Sequence, residues 1–233
     1  MKTTLKNPKR IQLNLLSDLE KQCLIWIAQR LPNQIHSDHL TFLGFLGMVF
    51  AGASYWLARW NDYALLISVF WLAVNWFGDS LDGTVARVRN RQRPRYGFYV
   101  DHIIDALGIL FLFGGLALSG FINPWITLFL IIAYYLLSIE IYLATVSLGE
   151  FRMSFGIFGP TELRILLAIG NIALFFHPKV QIIGKEFFLM DVCGIFAISG
   201  LLFATLYSAA RNGYRLYREE ALLDGLNTSR QRG

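Results

Sequence analysis

The sequence predicts an all-α integral membrane protein: a six-transmembrane-helix bundle preceded by an N-terminal amphipathic surface helix. Hydrophobic residues make up 55% of the chain and charged residues only 16%, whereas soluble domains carry about 25% charged residues. The charges also cluster, and the apolar stretches between the clusters approach the roughly 20 residues that a membrane-spanning helix needs. The second and fifth stretches are short and require flanking helix or a locally thinner bilayer. The six predicted spans are 40–59, 63–79, 97–119, 124–147, 163–177 and 189–211.

The distribution of lysine and arginine predicts how the bundle is oriented. Six spans place both termini on one side, and that side holds all but three of the 21 lysines and arginines, the exceptions being Arg59, Lys179 and Lys185. Because cytoplasmic loops are enriched in positive charge, we expect both termini and the 79–96 loop in the cytoplasm, at a bacterial inner membrane. The arginines at 87–95 serve this topology and phosphate binding, and no nucleic-acid partner is expected.

The N-terminal segment is predicted to contain an amphipathic helix. Within residues 11–31, Leu16, Leu19, Cys23 and Ile27 recur at helical spacing, and most polar residues lie off that face. Such a helix either lies along the membrane surface or docks on the cytoplasmic face of the bundle. The chain is therefore divided into a cytoplasmic segment 1–39, a transmembrane domain 40–218 and a cytoplasmic tail 219–233.

Four aspartates lie near the ends of two consecutive predicted spans. Asp79 and Asp82 are three residues apart, and Asp101 and Asp105 are four apart. These spacings place each pair on one helical face, and antiparallel spans bring both pairs to the same end of the bundle. Converging carboxylates repel one another, which one or two hard divalent cations would relieve. Oxygen ligands without cysteine suit Mg²⁺, Mn²⁺ or Ca²⁺.

Gly83, Ala86 and Arg87 follow the first aspartate pair on the same predicted helix. Gly83 has no side chain and Ala86 a small one, so a ligand can approach the helix closely. Arg87 provides a planar cation that matches phosphate oxygens. An acidic metal site, an open helix surface and an arginine together suit a metal-bound pyrophosphate.

The residues DSLDGTVAR at 79–87, continued by GFYVDHIID at 97–105, resemble the signature of the CDP-alcohol phosphotransferase (CDP-alcohol phosphatidyltransferase) family. Nine residues separate Arg87, which ends the first segment, from Gly97, which begins the second. This spacing is one residue longer than in the family pattern. The predicted spans, the site at the cytoplasmic end and the amphipathic helix are also similar to the family. All eight signature residues are present: Asp79, Asp82, Gly83, Ala86, Arg87, Gly97, Asp101 and Asp105.

The resemblance implies a reaction in phospholipid biosynthesis and a role for each signature residue. An alcohol hydroxyl displaces CMP from a CDP-alcohol with the help of Mg²⁺ or Mn²⁺, two ions being expected. Asp105 is the remaining metal ligand or the general base that takes the hydroxyl proton. The other implied roles are metal binding by Asp79, Asp82 and Asp101, and lining of the CDP site by Gly83, Ala86, Arg87 and Gly97.

His102 stands next to Asp101 in the same segment and has two interpretations. One is a polar residue at the helix edge, and the other is a catalytic base. The Asp–His pair resembles the choline and ethanolamine phosphotransferase branch, in which a histidine is thought to act as base toward diacylglycerol. The residues FGPTE at 158–162 are similar to the same branch. His102 and Asp105 are therefore the candidate catalytic residues.

Three further polar residues lie within or beside the predicted spans. Asn75 precedes Asp79 by one turn and either faces the site or bonds a neighbouring helix. Glu140 lies inside the fourth span, where charge is costly, and either contacts the acceptor alcohol or pairs with a neighbour. Arg164 begins the fifth span and either reaches the acceptor site or stays at the interface.

Two other protein classes use intramembrane aspartates. Membrane prenyltransferases carry two Asp-rich motifs in distant halves of a longer chain, whereas both pairs here fall within 79–105. Divalent-cation transporters bind near mid-membrane, whereas these aspartates lie at span ends beside an arginine. Within the resembled family, the donor is either CDP-diacylglycerol with a polar acceptor or a CDP-linked head group with a lipid acceptor. Membrane lipids are expected partners, and a homodimer is an open alternative.

Overall fold

The computed structural model describes the backbone of residues 9–10, 17–148, 150–151 and 160–230, and the side-chain environments of residues 20–148 and 164–221. β1 (Lys9–Arg10) pairs in parallel with β2 (Glu150–Phe151), and β3 (Lys179–Ile182) forms an antiparallel hairpin with β4 (Lys185–Phe188). In these parts of the chain seven helices form: α1 Ser17–Arg30, α2 Ser37–Leu57, α3 Tyr63–Val88, α4 Pro94–Leu118, α5 Pro124–Leu148, α6 Pro160–Phe176 and α7 Leu189–Arg230.

The predicted fold class is confirmed as an all-α integral membrane protein, apart from the short strands. Among the described residues, five helical segments are long and apolar enough to cross a membrane: α2, α3, α4, α5 and the Leu189–Ala221 part of α7. The apolar part of α6, Arg164–Phe176, is shorter. The count of six spans and the membrane-surface position of α1 therefore remain predictions.

Two helices extend beyond the predicted spans. Helix α3 continues past residue 79 to Val88, so the first aspartate pair, Gly83 and Arg87 lie on one uninterrupted helix. Helix α7 continues to Arg230, through residue 219, where the sequence predicts the tail to begin. Residues 11–16 of the predicted amphipathic helix and the first two residues of FGPTE lie outside the described residues.

Helix α2 packs against both α3 and α4. Toward α3, a Cβ added to Gly78 would meet the backbone of Gly44. Toward α4, a Cβ added to Gly115 would overlap the carbonyl group of Gly52. Small residues at membrane helix interfaces let backbones approach closely, and here they hold α2 tightly against its two neighbours.

Helix α1 packs on the bundle near the carboxyl end of α3. Leu24 and Ala28 are buried with residues of α2 and α3, namely Leu40, Leu81 and Val85. Trp76 Nε1 donates a hydrogen bond to Glu20 Oε1 at 3.0 Å. The Arg89 guanidinium donates to carbonyl oxygens that follow α1, those of Leu31, Pro32 and Ile35, at 2.6–3.0 Å. These contacts support the docked alternative for the N-terminal helix.

Helices α6 and α7 attach to different parts of the bundle. Helix α6 packs on α3, and its buried Asn171 donates through Nδ2 to the Tyr55 hydroxyl of α2 at 2.7 Å. Helix α7 packs on α5, where Ser208 Oγ and Asn212 Nδ2 each donate to the Glu140 carboxylate at 2.8 Å. The expectation that Glu140 pairs with a neighbour is confirmed.

We expect Gly115→Ala to lower the thermal unfolding midpoint of the detergent-solubilised protein and Gly114→Ala not to lower it. A Cβ at 115 overlaps the Gly52 carbonyl, whereas no heavy atom lies within 4 Å of a Cβ at 114. Both changes raise helix propensity by about 1 kcal/mol, so the difference between the variants reports the helix crossing. Overpacking costs about 1–3 kcal/mol. Equal midpoints for the two variants would contradict the close contact of α2 with α4.

Candidate active site

A pocket lies where the last turns of α3 and the first turns of α4 meet the start of α2. Three of the four signature aspartates line it, and α2 supplies the wall between the two acidic helices. The lining residues are Thr41, Gly44, Phe45, Asn75, Asp79, Asp101, Ile104 and Asp105. The structure thus brings Asp79 together with the second aspartate pair, through a helix that the sequence pattern did not include.

Asp82 lies next to this pocket and is only 6% exposed. Three residues of α-helix turn about 300°, so Asp82 is offset from Asp79 toward α2. There its Oδ2 accepts a hydrogen bond from Thr41 Oγ1 at 2.6 Å. Its Oδ1 accepts a hydrogen bond from the backbone N–H of Gly83. Both oxygens of this carboxylate are therefore held by the protein.

Arg164, near the start of α6, reaches the acidic pocket. Its Nη2 donates to Asp79 Oδ2 at 2.6 Å and its Nε donates to Asn75 Oδ1 at 3.0 Å. Asn75 Nδ2 in turn donates to the carbonyl oxygen of Gly44 at 3.0 Å. Asn75 therefore does both things the sequence left open, since it lines the pocket and bonds a neighbouring helix. The Arg164–Asp79 ion pair compensates a carboxylate that is costly in a membrane bundle.

The residues predicted to line the CDP site lie one turn further along α3. Arg87 Nη2 donates to Thr84 Oγ1 at 2.9 Å, and its Nη1 lies 3.3 Å from the position of a Cβ on Gly83. The guanidinium thus lies along the part of the helix surface where Gly83 and Ala86 carry no bulky side chain. Gly97, in the first turn of α4, has no heavy atom within 4 Å of its Cβ position. The link between α3 and α4 falls inside the nine-residue spacing.

His102 is not among the pocket-lining residues and lies against α5. Its Nδ1 is 2.6 Å from the Phe98 carbonyl oxygen, and because a carbonyl oxygen only accepts, Nδ1 carries the proton. In the neutral ring, Nε2 is then the acceptor nitrogen. The ring centroid lies 4.1 Å from that of Phe98 and 4.7 Å from that of Tyr142. This tautomer suits a base, while the ring contacts with Phe98 and Tyr142 lie outside the pocket that Asp101 and Asp105 line.

Sequence reasoning missed Thr41 as a site residue. A signal for it exists in the row of small residues Thr41, Gly44, Gly47 and Ala51, which recur every three or four positions. Such a row marks the face of a membrane helix that packs closely on a neighbour. A hydroxyl at the end of that face is then expected to meet polar groups of α3.

The donor chemistry of the pocket fits a hard divalent cation, because carboxylate oxygens predominate and no sulfur is present. Within residues 20–148 and 164–221, no group of three or more His, Cys, Asp and Glu side chains is arranged to hold a metal ion. Asp79 Oδ2 is engaged by Arg164, and the Asp82 oxygens by Thr41 and Gly83. Metal binding therefore requires Arg164 to release Asp79 Oδ2, whereas each Asp82 oxygen keeps a lone pair for a metal beside the hydrogen bond that it accepts.

Comparison with known proteins identifies the family. The model of the CDP-alcohol phosphatidyltransferase family matches residues 34–206, which include the whole pocket. The chain belongs to this family and is a membrane transferase of phospholipid biosynthesis that uses a CDP-alcohol. Among curated proteins, it is similar to the archaetidylinositol phosphate synthase of Pyrococcus horikoshii, with 29% identity over 141 residues, 60% of this chain and 69% of that protein. The match does not select the choline and ethanolamine branch.

We expect Arg164→Gln to destabilise the protein in EDTA, because Asp79 loses its cationic partner. A double-mutant cycle with Asp79→Asn should give a coupling free energy of about 1–3 kcal/mol, measured by denaturant unfolding in mixed micelles. The control cycle uses the exposed pair Arg215–Glu219 on α7, whose N–O distance is 2.9 Å. Exposed helix pairs couple by about 0.5 kcal/mol or less. Additive effects at Arg164 and Asp79 would show that their ion pair does not form.

Proposed function

We propose that the protein transfers a lipid-bearing phosphoryl group from a CDP-linked lipid to the hydroxyl of a polar alcohol, releasing CMP, with Mg²⁺ or Mn²⁺ as cofactor. The observation that carries this proposal is the pocket in which Asp79, Asp101 and Asp105 meet, on helices that also bear Gly83 and Arg87. The similar Pyrococcus protein is named as a synthase of archaetidylinositol phosphate. That name supports a lipid donor and a polar acceptor.

In the proposed reaction the acceptor hydroxyl attacks the phosphorus that carries the lipid group. The new O–P bond forms as the bond from that phosphorus to the CMP oxygen breaks, and CMP leaves. Asp105 takes the hydroxyl proton, which is the task of a general base in this geometry. Asp79, Asp82 and Asp101 would hold the divalent ions, which would neutralise charge on the pyrophosphate.

Two arginines define the ends of the proposed substrate site. Arg87, lying along the surface of Gly83 and Ala86, binds phosphate oxygens of the CDP moiety. Arg164 contacts Asp79 from α6, and its side chain is 19% exposed. Its planar guanidinium suits an acceptor that carries its own phosphate group. The acceptor class proposed is therefore a phosphorylated polyol.

A second candidate reaction is transfer of a CDP-linked head group to a lipid hydroxyl. The observation that favours it is the 2.6 Å contact between His102 Nδ1 and the Phe98 carbonyl oxygen, because an Nδ1–H donor leaves Nε2 as the acceptor nitrogen of the neutral ring. In this reaction His102 would serve as base toward the lipid hydroxyl. The position of His102 against α5, outside the pocket lining, supports the first candidate instead.

We further propose that α6 is a short sixth span and that the pocket faces the cytoplasm. The three basic residues assigned to the opposite side support this orientation. Arg59 follows α2 at its far end from the pocket, and Lys179 and Lys185 lie in the β3–β4 hairpin. Positive charge is otherwise concentrated at the pocket end, as expected for a cytoplasmic surface.

We expect purified protein to release CMP from CDP-diacylglycerol in the presence of a polar acceptor and Mg²⁺, and EDTA to stop the release. Asp105→Asn should lower kcat by about 10²-fold or more, the range for a lost general base. Asp82→Asn should also lower kcat, because it removes a proposed metal ligand. Asp62→Asn is the matched control, since Asp62 is exposed at the start of α3. The proposal fails if no CDP compound supports CMP release, or if Asp82→Asn and Asp105→Asn both retain full activity.

The second candidate predicts a different result for His102→Gln. With CDP-choline or CDP-ethanolamine as donor and diacylglycerol as acceptor, kcat should fall by about 10²-fold, while the exposed His177→Gln control keeps its rate. If only the lipid-donor reaction occurs, His102→Gln should retain it, because the proposed base there is Asp105. Normal turnover of His102→Gln with diacylglycerol would exclude His102 as the base.

A further inference from the structure

Asp82 is more buried than the other three signature aspartates. It is buried, and each of its two oxygens accepts one hydrogen bond from the protein, Oδ1 from the Gly83 N–H and Oδ2 from Thr41 Oγ1. Two donors on different oxygens fix the rotation of the carboxylate plane. The Gly83 donor belongs to the same helix, whereas Thr41 comes from α2.

The hydroxyl of Thr41 has one proton and two acceptors within reach. Its Oγ1 lies 2.6 Å from Asp82 Oδ2 and 3.1 Å from the carbonyl oxygen of Ser37 one turn earlier on α2. Hydrogen bonds to a carboxylate are shorter and roughly twice as strong as those to a neutral oxygen. The Thr41 hydroxyl therefore donates its proton to Asp82 rather than to the Ser37 carbonyl oxygen.

The position of Thr41 is set by the closest part of the α2–α3 contact. Gly44 follows Thr41 by one turn, and a Cβ on Gly44 would lie 3.2 Å from the backbone N of Asp79. Asn75 Nδ2 bonds the Gly44 carbonyl at 3.0 Å across the same contact. The Thr41 hydroxyl is thus carried to Asp82 by a backbone contact that leaves little freedom, and Thr41 also lines the pocket.

We propose that Thr41 is a positioning residue for the transfer reaction, whose hydroxyl orients the Asp82 carboxylate for metal binding. This rests on the proposed role of Asp82 as a metal ligand. Partners that hydrogen-bond a ligating carboxylate fix its orientation, and their loss typically costs about 10–100-fold in metal affinity or activity. Thr41 also lines the pocket that Asp79, Asp101 and Asp105 share.

The test compares Thr41→Val, which keeps the shape and removes the hydroxyl, with Thr41→Ser, which keeps the hydroxyl. The measured quantity is the Mn²⁺ dissociation constant of the purified full-length protein without substrate, followed by electron paramagnetic resonance. We expect Thr41→Val to raise it about 10–100-fold and Thr41→Ser to stay within about threefold of wild type. Thr127→Val is the control, since Thr127 is buried on α5 and its hydroxyl donates to the carbonyl oxygen of Asn123, the residue just before α5, at 3.5 Å.

Unfolding midpoints in EDTA separate positioning from simple stability. A structural role alone would lower the midpoint of Thr41→Val and leave Mn²⁺ binding unchanged, which would overturn the proposal. An equal loss of affinity in Thr41→Ser would also overturn it, because the hydroxyl would then not be the cause. If Thr41→Val does not fold, Thr41→Ala is measured against the same Thr41→Ser. Failure of the wild type to bind Mn²⁺ would instead overturn the metal-dependent function itself.

Discussion

The close approach of α2 to α3 and α4 is the constraint on which the pocket depends. Asp79 and the pair on α4 come from helices that each pack against α2, and they share one pocket because glycine backbones meet at Gly44–Gly78 and Gly52–Gly115. Between helices in lipid the hydrophobic effect offers little drive, so close packing of small residues supplies much of the association. A larger side chain at these contacts would widen the pocket and separate its two acidic walls.

The bundle holds two of its intramembrane carboxylates in different ways. Asp79 is compensated by a guanidinium, and Glu140 by the neutral donors Ser208 and Asn212. At the pocket, another cation can take the place of the Arg164 guanidinium beside Asp79, because both partners of this ion pair are partly exposed. The Glu140 contacts lie between α5 and α7 and attach a helix that has few other buried residues. One arrangement therefore suits chemistry and the other suits helix association.

Much of the fold was predictable because hydropathy and charge act locally along the chain. The predicted spans match the described helices closely at 40–59, 97–119 and 124–147, where apolar runs end at charged or helix-breaking residues. The sequence predicts too early an end for α3, because its last turns carry the polar signature residues and are not apolar enough to indicate a membrane-embedded helix. The β3–β4 hairpin was missed, because a four-residue strand has too short a pattern to separate from a loop.

The sequence by itself determined the fold class, the family signature and the identities of the eight signature residues, since spacings of three and four residues on a helix need no tertiary information. Tertiary structure decided that α2 lies between the aspartate pairs and that Arg164 reaches Asp79. It also decided that Thr41 bonds Asp82 and that α1 docks on α3. These contacts join residues 41 to 85 positions apart, and no local pattern fixes which faces of distant helices meet. The packing of small residues and the pairing of buried polar groups decide which helix faces meet.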